Sequence, residues 1–197
     1  MAKMNSKTRH FLLLHFISIF FTAFVSFYFG GLYIEGDQYY YNLWFNELRR
    51  LSFIDGYLYY SSQVNFIEVI HFVTSWVGGL VFEKIVLYSI VNIIFMWLLI
   101  EVFRKLDFNP LIAFLVLFTN FYVPVLLLAA ERLKFGFIFF FLFYIYIQYR
   151  RRAILFVFTL LGHLQFLILW LSIACGLFLK KYLARVGLLR FQSLLFL

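Results

Sequence analysis

The sequence predicts an all-α protein, a polytopic helical membrane protein with about five to six hydrophobic segments and an outer-face loop that carries interfacial helices. Hydrophobic residues make up 65% of the 197 residues and charged residues only 13%, against roughly 45–50% and ~25% in soluble domains. The apolar residues are gathered in runs that approach or reach the length needed to cross a bilayer. This composition excludes a soluble enzyme, a disordered tail and a disulfide-stapled secreted domain.

The first element is an apolar run over residues 11–34, which follows a basic stretch at residues 1–10. It is too long and too aromatic for a cleaved signal peptide, so we expect a retained first span. Because cytoplasmic segments of membrane proteins are rich in Lys and Arg, residues 1–10 are predicted to be a cytoplasmic tail. His10 and His15 lie near this end of the span and are interpreted as structural.

Residues 35–83 form the second element, an outer loop with amphipathic or re-entrant helices. Asp37 is predicted to cap the N-terminus of a short helix. Tyr41, Trp44 and Leu48 recur at spacings of three and four, which is typical of a helix lying in the membrane interface. Two interpretations of Asp37 stay open: it only caps the helix, or it is a carboxylate that acts as a base or orients a sugar hydroxyl.

The stretch 66–82 inside this loop is apolar, but it is short and contains Glu68 and His71. Either it lies on or dips into the outer face, or it crosses the membrane. The first topology leaves more of the basic residues on the cytoplasmic side, so the distribution of charge favours it. Glu68 and His71 match no known metal-binding motif, and the sequence predicts no metal site and no cofactor.

The remaining apolar runs complete the bundle, and residues 180–197 are predicted to be a cytoplasmic tail. Pro110 is expected to open its helix after Asn109, and Pro124 is expected to kink a span. The last run is longer than a bilayer requires and contains Gly162 and His163 near its middle, so it is interpreted as one span or as a broken hairpin. The predicted segments are 85–103, 110–130 and 135–149, and the longer run is 153–179.

Polar residues between or within these runs are candidates for function, because such residues are costly at membrane depth. Arg132 faces outward in the favoured topology and is the best candidate ligand for a phosphate or pyrophosphate. The alternative is a local ion pair between Glu131 and either Arg132 or Lys134. His163, followed by Gln165, either performs acid–base chemistry or contacts phosphate, or it forms a hydrogen bond between helices.

Three further features have simpler interpretations. Tyr40 and Tyr41 belong either to an aromatic belt at the membrane surface or to a platform that stacks on sugar rings. The net charge of +8 is assigned to membrane topology and not to nucleic-acid binding. The single cysteine, Cys175, has no second cysteine with which to form an internal disulfide.

These motifs together resemble the EpsG-like, Wzy-type polymerases of bacterial surface polysaccharide. The resemblance covers roughly residues 30–172 and rests on three short motifs, on a periplasmic stretch with Glu68 between the first two, and on a cytoplasmic basic turn before the third. A Gly-Asp-x-x-Tyr motif contains Asp37 and Tyr40 after the first span. Arg132 opens a later span within Glu-Arg-Leu-Lys-Phe-Gly-Phe, and His163 lies about thirty residues later within Gly-His-Leu-Gln.

The resemblance implies a glycosyl transfer that joins undecaprenyl-pyrophosphate-linked oligosaccharide repeat units at the outer face of the bacterial inner membrane. Arg132, helped by Lys134, would neutralise the departing pyrophosphate, and Asp37 or His163 would accept the proton of the acceptor hydroxyl. Substrate contacts are assigned to Tyr40, Tyr41, Lys134 and Gln165.

The expected partners are the lipid-linked oligosaccharide, membrane lipids, and a chain-length regulator or flippase. One alternative function is a transport or flippase-type subunit, or a structural subunit, of a polysaccharide export system. Another is an inactive, truncated polymerase fragment, because members of the family are typically nearly twice as long.

Overall fold

The computed structural model of the chain describes residues 6–33, 35–64, 67–146 and 152–185. Every regular element in these ranges is helical. The chain divides into two compact units, residues 1–164 and residues 165–197. Parts of the predicted cytoplasmic segments, among them Arg150, Arg151 and the end of the chain from residue 186, lie outside the described residues.

The first unit contains ten of the α-helices in the described ranges, and most of them are short. They are α1 (Ser6–Phe24), α2 (Gly30–Leu32), α3 (Asp37–Leu48), α4 (Phe53–Gln63), α5 (Val69–Gly79), α6 (Lys84–Lys105), α7 (Pro110–Thr119), α8 (Tyr122–Leu128), α9 (Glu131–Ile145) and α10 (Arg152–Gly162). A π-helical turn, Val25–Phe29, joins α1 to α2. In the second unit, α11 runs over Phe166–Arg185.

Two stretches of helix in the described ranges are long and apolar enough to cross a membrane, Ser6–Leu32 and Lys84–Lys105. The pair α7 and α8 becomes a third candidate span if the bent pair is counted as one. These findings support a helical membrane protein. The sequence predicted about five to six hydrophobic segments, but α5, α9 and α10 are each shorter than a bilayer requires.

At one end of the first unit, the start of α1 meets the end of α6. Lys7 forms an ion pair with Asp107, and His15 Nε2 lies 2.9 Å from a carboxylate oxygen of Glu101. We call this the inner end, because it carries the basic N-terminus that the sequence places in the cytoplasm. Lys105 also donates to the carbonyl of Ile145 there, so α9 finishes beside the end of α6.

At the opposite end, which we call the outer end, Ser26 of the π-helical turn accepts a hydrogen bond of 2.8 Å from Asn92 of α6. The helices α3, α4 and α5 pack together at this end, and α10 packs along α9. A Cβ atom added to Gly162 would lie 2.7 Å from the backbone nitrogen of Gly136, so only glycine allows α10 to end this close to α9. The approach places His163, the next residue, at the outer end.

The prediction that Asp37 caps α3 needs correction. The N-cap position of α3 is occupied by Gly36, with φ of 60°, and Asp37 is the first residue of the helix. Because glycine has no side chain, the N-terminus of α3 has no side-chain cap. The Asp37 carboxylate still lies in the first turn, where the helix dipole favours negative charge. The bend expected from Pro124 is present, because the predicted span 110–130 is bent by 62° at the break between α7 and α8. Pro124 has no N–H to donate to the carbonyl of Asn120, four residues earlier, and its ring clashes with that carbonyl in a continuous helix, so the break falls there.

The N-terminus of α7 confirms another prediction. Asn109 is the N-cap residue, its side chain accepts from the backbone N–H of Leu111, and Pro110 occupies the first helical position.

Candidate functional site

Arg132 is held by two partners that come from distant parts of the chain. Its Nη1 donates to the Glu68 carboxylate at 3.0 Å, and its Nε donates to the Tyr41 hydroxyl at 3.0 Å. The Arg132 side chain is 30% exposed, whereas the Glu68 side chain is 3% exposed. A carboxylate buried to this extent needs a charged or hydrogen-bonding partner, and Arg132 supplies it.

Glu68 connects Arg132 to another of the candidate residues, His163. The second oxygen of the Glu68 carboxylate lies 3.5 Å from His163 Nε2. Burial lowers the pKa of His163, and this effect exceeds the opposing attraction of Glu68. His163 is therefore a neutral imidazole near pH 7, positioned against a carboxylate.

Tyr41 forms the other wall of the arginine site. Its position on α3 buries the ring, and burial raises the pKa of the phenol even though Arg132 acts in the opposite direction. The hydroxyl therefore stays protonated at neutral pH. It accepts one hydrogen bond from Arg132 and keeps its own O–H to donate.

A cavity of about 270 Å³ opens beside this arginine. It brings together four of the residues that the sequence singled out, namely Asp37, Tyr40, Tyr41 and Arg132. The rest of its wall is mainly aromatic and aliphatic, formed by Leu43, Trp44, Tyr59, Gln63 and Val64. The cavity thus has a cation and an exposed carboxylate set among aromatic rings, which suits a ligand with both an anionic group and sugar faces.

His163 does not line this cavity, and neither does Lys134. The ammonium of Lys134 is fully buried and donates to the side-chain oxygen of Asn92 and to the backbone carbonyl of Leu127. The prediction that Lys134 assists Arg132 at the same anion is therefore not reproduced. Residues 132 and 134 lie two apart on α9, so their side chains leave the helix in different directions.

Lys134 belongs instead to a second polar cluster on the other side of α3. Lys84 Nζ lies 2.9 Å from the Glu131 carboxylate and donates to the side-chain oxygen of Gln38 at 2.9 Å. These residues, with Ser26, Asn92 and others, surround a smaller cavity of about 80 Å³. The local ion pair that the sequence left open for Glu131 is therefore made with Lys84, and Arg132 pairs with Glu68.

A third group of polar side chains is fully buried between α4, α5 and α6. His71 contacts the hydroxyl of Tyr60 through Nδ1 at 2.9 Å and the hydroxyl of Tyr88 through Nε2 at 2.7 Å, and Ser75 lies 2.7 Å from the Tyr88 hydroxyl. Burial lowers the pKa of His71 well below its ordinary value, so the imidazole is neutral and uses one nitrogen as donor and the other as acceptor. This network fixes α5, the helix that begins next to Glu68.

Sequence reasoning gave no catalytic or binding role to several of these residues. The most important is Glu68, which was considered only as a metal ligand and was rejected in that role. A usable signal was present, because Glu68 and His71 are ionisable residues at the start of an apolar segment, where they need partners. The sequence around Glu68 does not indicate that its partner is Arg132, 64 residues later. Gln165, predicted to contact substrate, opens the second unit, where its carbonyl accepts from the N–H of Ile168.

The chain matches no family model, and no curated protein or solved structure is significantly similar to it.

Proposed function

We propose that the chain is a membrane glycosyltransferase that joins lipid-pyrophosphate-linked oligosaccharides at the outer face of the bacterial inner membrane, in the manner of an EpsG-like or Wzy-type polymerase. The observation that carries the proposal is the 270 Å³ cavity, in which Arg132 and Asp37 face the same space among aromatic rings. Glycosyl transfer from a pyrophosphate needs a cation for the leaving group and a base for the acceptor, and the cavity contains one of each.

Arg132 would stabilise the leaving group. Two of its N–H groups hold Glu68 and Tyr41, and the others remain for oxygens of a pyrophosphate. In and next to the two cavities of the outer end, three cationic side chains are balanced by three carboxylates. Because these charges cancel, the site has no net positive charge with which to bind the intact substrate. Arg132 would therefore act mainly on the negative charge that develops on the pyrophosphate as the sugar–oxygen bond breaks. The six side chains are Lys84, Arg132, Lys134, Asp37, Glu68 and Glu131.

Asp37 would be the base. It is exposed, it lines the cavity, and it lies in the first turn of α3. In the proposed step, the acceptor hydroxyl oxygen bonds to the anomeric carbon, its proton passes to the Asp37 carboxylate, and the electron pair of the broken bond stays on the pyrophosphate beside Arg132. His163 lies behind Glu68, so we assign it the role of positioning Glu68 and, through it, Arg132.

The size of the cavity limits what it would hold. Sites for small molecules typically occupy about 300–1,000 Å³, and this cavity is near the lower limit. It would accept the pyrophosphate and the first sugar, with Tyr40 and Tyr41 against the ring. The rest of the oligosaccharide would remain in solvent, and the polyprenyl chain in the membrane.

The test is the length distribution of surface polysaccharide in cells that make the lipid-linked repeat unit and depend on this chain for polymerisation. Arg132→Ala is expected to collapse the ladder to single repeat units, because the leaving group loses its cation. The matched control is Arg50→Ala, since Arg50 is an exposed arginine that pairs only weakly, at 3.7 Å, with Glu47. A full ladder in Arg132→Ala, at equal protein level, would overturn the proposal.

A further inference from the structure

A row of buried polar side chains on α1 and the π-helical turn that follows it, which we call the α1 row, has no place in the proposed chemistry. His15, Ser18, Thr22 and Ser26 are all buried, and they succeed one another at spacings of three or four residues. Such spacings place side chains on one face of a helix. The face is turned toward α6, because the His15 ring packs on Trp97 and Ser26 bonds to Asn92.

Most of this row lacks hydrogen-bond partners. Among the described residues, the hydroxyls of Ser18 and Thr22 and the Nδ1 atom of His15 are buried and unpaired. Burying a polar group without a partner costs on the order of 1–3 kcal/mol. A row of small residues is often used simply to let two helices approach, but that explanation accounts neither for a buried histidine nor for the polar cluster at the outer end.

The row ends at the 80 Å³ cavity of the second polar cluster, which Ser26 lines together with Lys134 and Glu131. One carboxylate oxygen of Glu131 is also buried and unpaired among the described residues, although the other is bound to Lys84. Ionisable groups therefore stand at both ends of the row of hydroxyls. His15 contacts Glu101 at the inner end, and Glu101 pairs at 2.6 Å with Arg104, whose side chain is half exposed.

The spacing of the row suits single water molecules. Four residues of α-helix rise about 6 Å along the axis, and one water that bonds to two hydroxyls at about 2.8 Å each spans nearly the same distance. A cavity of this polarity and volume is large enough to hold water as well. The path from His15 to Ser26 covers about 16 Å, roughly half of the hydrocarbon thickness.

We infer that the α1 row and the second polar cluster form a hydrated path that transfers protons between the inner end, at His15 and Glu101, and the outer end, at Glu131 and Lys134. The ligand class is the proton, carried by hydroxyls and water that each donate and accept. A proton joins the His15–Glu101 pair on one side and leaves the Glu131–Lys84–Lys134 cluster on the other. Only O–H and N–H bonds form and break, and one positive charge crosses.

The experiment measures proton entry into phosphatidylcholine vesicles that contain the full-length chain and a trapped pH-sensitive dye, under a potassium diffusion potential. Wild-type vesicles are expected to take up protons faster than protein-free vesicles. Thr22→Val, which keeps the side-chain shape and removes the hydroxyl, is expected to lower the rate about tenfold, the effect of losing one hydrogen-bonded step. Ser18→Ala provides a second variant if Thr22→Val does not fold.

Thr119→Val is the matched control, because Thr119 is exposed and its hydroxyl already bonds to the Leu115 carbonyl. It should leave the proton rate unchanged. The inference is overturned if wild-type vesicles match protein-free ones, or if correctly folded Thr22→Val and Ser18→Ala conduct like wild type. It does not depend on the proposed glycosyl transfer, since the vesicles contain no sugar substrate.

Discussion

The two ends of the first unit differ in how they hold their charges. At the inner end, the Lys7–Asp107 pair is largely exposed, and the Arg104–Glu101 pair is half exposed on the arginine side. At the outer end, Lys84 pairs with Glu131 at side-chain exposures of 14% and 5%, and the Glu68 that holds Arg132 is 3% exposed. The inner end also has one buried contact between ionisable groups, His15 with Glu101, at side-chain exposures of 6% and 19%. Among the described residues, however, only the outer end pairs a largely buried lysine with a buried carboxylate.

This difference separates the charges that the sequence assigns to membrane topology from the charges to which we assign the proposed chemistry. Exposed pairs contribute about 0–1 kcal/mol, so the inner pairs are consistent with a basic surface that marks the cytoplasmic side. Buried pairs carry a desolvation cost that their mutual attraction often only offsets. A membrane protein that keeps five buried or partly buried charged side chains at one end, beside two cavities, is organised around a polar site there.

The largest expected effect is a loss of stability when a buried ion pair of the outer end is removed. Glu131→Gln leaves Lys84 without its carboxylate partner in a buried position, so we expect the folded state to lose about 3 kcal/mol. Thermal unfolding in detergent is the measurement, with an expected fall in the midpoint of about 6 °C or more.

The control for Glu131→Gln is the equivalent change at the inner end, Asp107→Asn. Asp107 has φ of 59°, a conformation that asparagine also tolerates, and its pair with Lys7 is exposed. The unfolding midpoint of the Asp107→Asn variant should therefore stay close to that of wild type. Equal losses in the two variants would show that burial does not distinguish the ends.

The next effect concerns the close approach of Gly162 on α10 to the backbone of α9, which positions His163 at the outer end. Gly162→Ala would place a methyl group 2.7 Å from the Gly136 nitrogen and 2.8 Å from the carbonyl carbon of Phe135. Because both neighbours are backbone atoms, α10 must move away from α9, at a cost of about 1–3 kcal/mol. Thermal unfolding measures the loss, and the contact between His163 and Glu68 should weaken with it.

Gly176→Ala supplies the matched control, since Gly176 lies inside α11 and a Cβ atom there meets nothing within 4 Å. Alanine favours the helix there, so this variant should be as stable as wild type or slightly more stable. A Gly162→Ala protein with unchanged stability would mean that the close approach of α9 and α10 is unimportant.

A smaller effect concerns pH. The folded state keeps His71 neutral, because burial lowers its pKa well below 6.5. The unfolded chain binds a proton to this residue near pH 6.5, so stability is fully present above that pH and is lost as the pH falls below it. The unfolding midpoint of wild type should therefore drop between pH 7.5 and pH 5.5.

The comparison with His71→Gln isolates this residue from His163, whose pKa is also lowered. The variant loses stability at pH 7.5 along with the hydrogen bonds to Tyr60 and Tyr88, but its further loss between the two pH values should be smaller than that of wild type. An identical pH dependence in both proteins would contradict the neutral assignment.

Much of the fold could be predicted from local sequence. The apolar runs predicted the helical membrane class, and Asn109-Pro110 predicted the start of α7. Pro124 predicted the bend between α7 and α8, which falls at the carbonyl to which a proline at this position has no N–H to donate. The α3 spacing indicated that Tyr41, Trp44 and Leu48 share a buried face, but not that Gln38 is buried with them, since its partners Lys84 and Leu128 come from later helices.

The candidate site was predictable in its residue types and not in its pairings. Arg132 stood out because a basic residue on the outer side opposes the positive-inside trend. Asp37 stood out as a carboxylate just after the first span, and Tyr41 as a member of the apolar face of an interfacial helix. The assignment of Lys134 to the same anion failed, because two residues separated by two positions on a helix diverge, and no sequence pattern reveals Asn92 as the partner. Glu68 could be recognised as part of the site only once the structure placed it against Arg132, 64 residues further along the chain.

The most direct test of the central claim is the affinity of the purified chain for a radiolabelled polyprenyl pyrophosphate in detergent, compared with the polyprenol that lacks the phosphates. The proposed site predicts that wild type prefers the pyrophosphate. It also predicts that Arg132→Gln binds it about 10- to 100-fold more weakly, the loss expected for charge-assisted hydrogen bonds of about 1.5–3 kcal/mol, with Arg50→Gln unchanged. Equal binding of pyrophosphate by wild type and Arg132→Gln would contradict the assignment of the outer cavity to the lipid-linked substrate.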